Sequence, residues 1–447
     1  MDLLLSFLVF ALAMAVSLIW GGDYGMLGAL AVGLLAFYLT ARKRGFARRP
    51  LFDMMKKGFL RSLLVVRIFV FIGVLTALWR ASGTIAFFVY HGTRLIPPKF
   101  FVLSAFLLAS LLAYALGTSY GICGTVGVIM VTLAKSGGVA PVIAAGAVFS
   151  GAYFGDRTAP ASSCANLVAT VTETRLYDNI KRMLRTAALP MVLCAGFYAV
   201  LSARHPLSAG ESSLVESMAS TFDLSWITVL PAILMLVLPL CKIEVRKAIA
   251  ASSGCAFLVS VLLQKLPVLA ALRACLFGYQ APAELAELLS GGGLISMLKV
   301  AGIVALSGTY SGIFEGTGML SGVQEGLSRL TDRIGRFAAM ALTSLAVGGV
   351  FCNQTIGVMM VQQLFGPVYQ QNGVSREDLA LDIADSLVVL VGMIPWCIAC
   401  VTPLNMMGVS FGALPYAAFL YLLPLCRLAK AALFSRTKPG KKEKTSA

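Results

Sequence analysis

The chain has 447 residues, of which 58% are hydrophobic and 13% charged, and a formal net charge of +16. A soluble chain carries about 25% charged residues, and a water-soluble fold of this size could not hide so much apolar surface. The composition excludes a soluble globular protein. The excess of Lys and Arg falls in short stretches between apolar runs, where the positive-inside rule accounts for it without nucleic acid.

The first apolar run, Leu3 to Trp20, lacks a basic n-region and a small-residue cleavage site, so it reads as a retained helix rather than a signal peptide. A turn at Gly21-Gly22-Asp23 leads to a second helix reaching about Thr40. The basic cluster Arg42, Lys43, Arg44, Arg48 and Arg49 predicts a cytoplasmic loop, which puts the N-terminus inside as well. A third helix covers roughly Phe59 to Trp79. Arg61 and Arg80 can snorkel at its ends, whereas Arg67 lies deeper, without an easy route to water. Ser82-Gly83-Thr84-Ile85 interrupts the pattern, as the start of a short or re-entrant segment would.

Apolar runs then span about Phe100 to Ala115, Gly121 to Leu133 and Val139 to Phe154. The stretch with Arg175, Lys181, Arg182 and Arg185 reads as cytoplasmic. A helix from about Ala187 to Leu201 leads to an external loop with Glu211, Glu216 and Asp223. Helices near Trp226 to Leu240 and Ala248 to Leu263 are joined by Lys242, Arg246 and Lys247 on the cytoplasmic side, and Gln264 to Gly293 is mixed and external. A run ending at Ser307, a glycine-rich break to Gly322 and a basic loop with Arg329, Arg333 and Arg336 precede the last runs, Phe337 to Val350, Ile356 to Leu364, Leu387 to Ile398 and Phe411 to Leu425. The tail, with Arg427, Lys430, Arg436 and further lysines, reads as disordered and cytoplasmic. These runs predict an all-α polytopic membrane protein with about eleven to thirteen membrane segments, some of them half-passages. The ten cysteines lie in or beside apolar segments with no secreted disulfide framework, and Cys397 and Cys400 read as small packing residues.

Four stretches put polar residues and glycine at membrane depth. They are Gly117-Thr118-Ser119-Tyr120-Gly121; Gly155-Asp156-Arg157-Thr158 through Ser162, Ser163 and Asn166; Cys352-Asn353-Gln354-Thr355; and Asp382 to Ser386 ahead of Pro395-Trp396. Unwound backbone in a bilayer must line a cavity or pack against protein, and discontinuous helices of this kind surround ions or substrates in transporters. An intramembrane carboxylate costs several kcal/mol unless paired, hydrated or protonated. Burial favours the neutral form and a bound cation the ionised one, so such a group holds a proton or a metal cation but not both. Asp156 and Asp385 are the best placed to hold a transported cation. Against that reading, Asp156 could bridge Arg157 and Asp385 could cap a helix. Glu315, in the break Ser311 to Gly318, is a third ionisable group or an interfacial loop acid.

The halves echo one another. Thr118 to Asp156 is 38 residues and Asn353 to Asp385 is 32, a register that pairs Asp with Asp. A rival register sets Gly151-x-x-Phe154-x-Asp156-x-Thr158 against Gly348-x-x-Phe351-x-Asn353-x-Thr355. The expected organisation is an N-terminal helical pair with its basic loop (1–58), a first repeat (59–202), a connecting region (203–292), a second repeat (293–430) and a basic tail (431–447).

In these stretches the chain resembles the NhaC-type sodium/proton antiporter family. Gly73-Val74-Leu75-Thr76-Ala77-Leu78-Trp79 with Ser82 to Ile85 is similar to the family's stretch before its first broken helix. Gly117 to Gly121 resembles its G-T-S-aromatic-G, and Phe154-Gly155-Asp156 with Pro160 and Ser162 resembles its F-G-D-x-x-S-P-x-S-D. Asp385-Ser386 and Ile394-Pro395-Trp396 resemble its E-D-S and I-P-W-N. The resemblance implies two inverted repeats with broken helices, a transport domain moving against a scaffold, and homodimers. It also implies exchange of H⁺ and Na⁺, with some members exchanging organic acids or amino acids. The ion and substrate positions expected from the polar breaks and the resemblance together are Asp156, Thr158, Ser162, Asn166, Thr118, Ser119, Asn353, Gln354, Thr355, Asp385, Ser386 and Glu315. The chain departs from the pattern at Ser163 and Asn353, where the family has acids, at Ala159, where it has Ser, at Ala384, where it has Glu, at Val388, Leu390 and Val391, where it has small polar residues, and at Cys397, where it has Asn. Several oxygen ligands are thereby lost, so proton coupling or an organic cargo stands beside Na⁺. The expected partners are the transported cation, a small organic solute, lipid and a second copy. No cofactor is implied. An intramembrane aspartyl protease is the enzyme alternative, because two carboxyls there share a proton, but its glycine pattern and second motif are missing.

Overall fold

The computed structural model describes residues 2–17, 22–208, 212–241, 243–317 and 324–436. Every regular element among them is helical, as hydrocarbon demands of backbone that must satisfy its own polar groups. An isolated antiparallel bridge between Tyr279 and Gly291 stands outside the helices. In chain order the main helices are α1 (Asp2–Val16), α2 (Gly22–Lys43), α3 (Arg48–Ala81), α4 (Thr84–Leu95), α5 (Phe101–Leu116), α6 (Ser119–Ser136), α7 (Pro141–Thr158), α8 (Ser163–Val171), α9 (Leu176–Arg204), α10 (Ser212–Thr221), α11 (Trp226–Pro239), α12 (Val245–Leu262), α13 (Val268–Phe277), α14 (Leu298–Thr317), α15 (Gln324–Ile334), α16 (Arg336–Phe351), α17 (Gln354–Gln371), α18 (Arg376–Met393, interrupted at Ser386), α19 (Ile398–Met406) and α20 (Ala418–Arg436).

Five helices among the described residues are long and apolar enough to cross a membrane, and the bent pairs α3–α4 (61°) and α18–α19 (56°) bring that to seven. The apolar runs outnumber these spans because several fold as shorter helices, α11 and α16 among them, while the mixed stretch Gln264 to Gly293 contributes the short apolar helix α13. The turn at Gly21, the external acid Glu211, the linking Lys242, the glycine-rich stretch 318–322 and the tail beyond Arg436 lie outside the described residues. Arg67 lies on the exposed surface of α3. One sequence expectation changes. Arg427, expected in a disordered tail, lies within α20, where an apolar helix carries it back over the core.

The helices form two packed bodies. In one, α3 packs on α2, α12, α13 and α14. Gly308, Gly312 and Gly316, one turn apart on α14, face Met54, Gly58 and Ser62 of α3, and a Cβ on Gly58 would strike the Gly308 carbonyl and the Gly312 backbone. This is the small-residue packing that lets membrane helices approach closely. In the other body, α5 lies along α7, α16 along α17, and the long helices α9 and α20 pack on each other.

The second body is built twice. From α5 to α8 and from α16 to α19, each helix begins and ends 235 residues after its counterpart: 101–116 and 336–351, 119–136 and 354–371, 141–158 and 376–393, 163–171 and 398–406. Left-handed backbone recurs at the same offset, at Gly117 and Cys352, Gly138 and Gly373, and Glu173 and Gly408. Thr118 thus matches Asn353, as the sequence suggested. The Asp-with-Asp pairing does not hold, because the counterpart of Asp156 is Val391 and that of Asp385 is Ser150. The rival register, with its offset of 197 between Asp156 and Asn353, does not hold either.

Candidate functional site

The site forms where the helix breaks meet. After α5, Gly117 turns left-handed (φ +67°), Thr118 is extended, and the Thr118 hydroxyl caps the next helix by accepting from Gly121 N at 3.2 Å. After α16, Cys352 does the same (φ +51°), and Asn353 Oδ1 accepts from Thr355 N (2.9 Å) and Ile356 N (3.2 Å). A residue with a short polar side chain is what an orphaned helix N-terminus needs there. Between α7 and α8, Ala159 to Ser162 form the third break, and Ser162 Oγ accepts from Cys164 N (3.1 Å) and Ala165 N (3.2 Å). A Cβ on Gly117 would sit 2.5 Å from Ala161 C and Ser162 N, so the first and third breaks touch through backbone.

Asp156 lies in the last turn of α7 and is 6% exposed. Ser162 Oγ donates to its backbone carbonyl and lies 3.3 Å from Oδ1. The side chains of Ser119 and Gln354 approach the same carboxyl, and the Gln354 amide itself donates from Nε2 to Val388 O (3.0 Å). Ser119 and Gln354 are the first helical residues after the two capped breaks, 235 positions apart. One carboxyl is therefore approached by a polar side chain from each half, and among the described residues no basic side chain pairs with it.

Asp385 lies elsewhere, and the two aspartates have separate partners. Asp385 Oδ1 pairs with Arg157, and its Oδ2 lies 2.9 Å from Arg427 Nε, close but poorly aligned for a hydrogen bond. The Thr186 hydroxyl is 3.3 Å from Oδ1. Asp382, one turn earlier, is held by Arg427, by Arg336 Nε (3.1 Å) and by the Tyr369 hydroxyl (2.8 Å). Arg157, Asp382 and Asp385 are fully buried. Arg336 and Arg427 stack over Tyr369 and Phe337. Arg157 thus points away from Asp156, its chain neighbour, and Asp385 is no simple helix cap. Of the two acids expected to hold a transported cation, Asp156 stands as a lone carboxyl, and Asp385 belongs to a separate salt-bridge network in which both of its oxygens face arginine.

The remaining predicted residues serve the breaks. Thr158 Oγ1 donates to Phe154 O within its own helix (2.6 Å). Asn166 Nδ2 donates to Pro160 O (3.0 Å) and Ser162 O (2.7 Å), which ties off the third break. Thr355 is exposed beside Asn353. Ser386 Oγ donates to Asp382 O (2.6 Å) and accepts from Ser344 (3.2 Å). Glu315 falls in the last turn of α14, with its side chain outside the described residues. Sequence reasoning missed Arg336, Arg427, Tyr369 and Thr186. The available signal was that two basic residues expected at the surface recur beside apolar runs whose acids, Asp382 and Asp385, need partners.

Comparison with known proteins points one way. The model of the Na⁺/H⁺ antiporter family matches residues 3–165 and 151–429. The chain is 25% identical to "Na(+)/H(+) antiporter NhaC" of Alkalihalophilus pseudofirmus, over 79% of this chain and 78% of that protein. It is 25% identical to the "Malate-2H(+)/Na(+)-lactate antiporter" of Bacillus subtilis (87% and 85% covered). It is 26% identical to the "Arginine/ornithine antiporter ArcD" of Halobacterium salinarum (88% and 86% covered).

Proposed function

The chain belongs to the Na⁺/H⁺ antiporter family, and from that premise we propose that it is a cation-coupled antiporter whose Asp156 carboxyl carries the exchanged cation. The observation that carries this reading is a buried carboxyl whose one hydrogen-bonded side-chain partner is the neutral Ser162, with the neutral Ser119 and Gln354 near it and no basic partner among the described residues. Hydrocarbon penalises a lone charge by several kcal/mol. The site is therefore at rest with a proton on the carboxyl or a cation beside it, and each displaces the other. Ser163 and Asn353 stand where the family has acids, so the site offers one negative charge and takes one proton or one monovalent cation. Asn353 Oδ1 is spent on the helix cap. Ser162 Oγ is likewise engaged, capping α8 and donating to Asp156 O, so the oxygens left for a metal ion are those of Asp156, Ser119 and the Gln354 amide.

Around this site the two builds of the second body act as repeats of opposite orientation, moving against the α2–α3–α12–α14 body as scaffold. The protein sits in the cell membrane of a prokaryote as a homodimer, with both termini and the Arg42–Arg49 stretch cytoplasmic. Membership in a family of antiporters sets the protease reading aside. Proteoliposomes holding a pH gradient test the proposal: Na⁺, Li⁺ or K⁺ should dissipate the gradient with the wild type. Asp156→Asn should lower the rate at least ~100-fold while remaining inserted and folded, since a neutral amide cannot alternate between proton and cation. Wild-type exchange by Asp156→Asn would remove the carboxyl from the mechanism.

One observation favours an organic cargo as well. A cavity of about 110 Å³ lies between the two bodies, lined by Ile72, Leu75, Met235 and Ile249 on one side, Thr118 and Gly124 on the other, and the half-exposed Arg246. Its apolar wall suits carbon rather than a bare ion. Counterflow with a panel of carboxylates and amino acids separates this reading from pure ion exchange.

A further inference from the structure

Asp156 and Arg157 are consecutive residues of one buried helix. Left to itself, a guanidinium shut in hydrocarbon finds the nearest carboxylate, since an unpaired buried charge is strongly destabilising. The obvious partner is the residue beside it. The structure prevents that pairing by occupying Arg157 on the far side of α7. Its Nη1 donates to Met183 O (3.0 Å), its Nη2 donates to Thr186 Oγ1 (2.7 Å), and Asp385 pairs with the same Nη2. Asp385 is in turn fixed by Arg427, and Arg427 by Asp382.

The duplicated build separates holding helices together from holding a charge. The counterpart of Asp385 is Ser150, which joins α7 to α9 and α20 through neutral bonds. Tyr198 Oη lies 2.6 Å from Ser150 Oγ and 2.8 Å from Tyr416 O, and Phe419 N donates to Ser150 (3.2 Å). A hydroxyl is enough to tie these helices. The carboxylate occurs in the half that faces an arginine, and the counterpart of Arg157 is Gly392. We propose that Asp385 is a positioning residue for exchange: it holds the Arg157 guanidinium away from Asp156, so that Asp156 stays free of a resident cation and open to the transported one. This rests on the antiport reading for its consequence and on the salt-bridge geometry for its substance.

The test reads the protonated state of Asp156 without transport, by following dicyclohexylcarbodiimide modification of that residue in the full-length protein by mass spectrometry at pH 7. Asp385→Asn frees Arg157 to neutralise Asp156, and the carboxyl, kept ionised, should be modified about tenfold more slowly than in the wild type. The double variant Arg157→Gln/Asp385→Asn should return to within about twofold of wild type, because the competing charge has gone. If Asp385→Asn does not fold, Arg157→Gln carries the comparison. Asp385 keeps Arg427 there, and Asp156 should be modified at the wild-type rate. Wild-type modification in a folded Asp385→Asn, a double variant as slow as the single, or slow modification in Arg157→Gln overturns the positioning role. Exchange assays on the same preparations keep the readings apart: an active wild type with any of these labelling results sinks the positioning role alone, and a wild type that labels as expected but exchanges nothing sinks the antiport reading alone.

Discussion

Two aspartates beside helix breaks have opposite electrostatic fates. Asp156 is bonded by the Ser162 hydroxyl with only neutral side chains near it, and Asp385 meets two guanidinium groups. The first was legible because Gly155-Asp156 and Ser162 sit in one short break, so the partners are close in the chain. The second was not, because Arg157, Thr186 and Arg427 reach Asp385 from three other helices, and a basic residue at a helix end reads as a topology signal whatever it pairs with. Asn353 gives a prediction at this scale. Asn and Asp cap helices about equally well, so Asn353→Asp should leave stability within about 0.5 kcal/mol. It adds a carboxylate to the break beside Gln354. The Na⁺ concentration for half-maximal exchange should fall about fivefold, the effect of ~1 kcal/mol of added attraction at an effective dielectric near 20. An unchanged Na⁺ response would show that the break does not face the ion.

The elements were easier to foresee than their pairing. Glycine and polar residues inside apolar runs marked the breaks, since lipid leaves such residues no other use. The Asp-with-Asp register failed because likeness of chemistry was set above likeness of backbone. The left-handed positions Gly117 and Cys352 carry different residues but the same turn. That turn is fragile at Gly117. Alanine there would pay about 1–2 kcal/mol for its left-handed conformation, and its Cβ would press on the Ala161 and Ser162 backbone. Gly117→Ala should therefore lose about 3 kcal/mol or more in total, read as a lower unfolding temperature in detergent, and exchange should fall with it because Ser162 and Ser119 shift away from Asp156. Wild-type exchange in this variant would mean that the breaks are not held together as described.

For the whole molecule, the all-helical membrane architecture was written in composition and run length, whereas the division into two bodies was not. It depends on which helices lack side chains where they cross, as α14 does against α3, and spacing alone does not say which partner a glycine seam faces. If the bodies slide past each other around the 110 Å³ cavity, Leu75→Trp should wedge it. An organic substrate should then be carried about tenfold more slowly, as for an overfilled pocket worth 1–3 kcal/mol, with Na⁺-driven exchange less affected. Equal losses for both would place ion and solute on one path. The gap-free spacing of the two builds has its own consequence for how this chain can change length. An extra residue within α7 ahead of Asp156 would turn that carboxylate by about 100° around its helix, out of reach of Gln354 and towards lipid or the arginine network. Growth of the chain is thus confined to the stretches outside 101–171 and 336–406, and a reporter inserted around residues 279–291 should be tolerated where a single duplicated alanine in α7 is not.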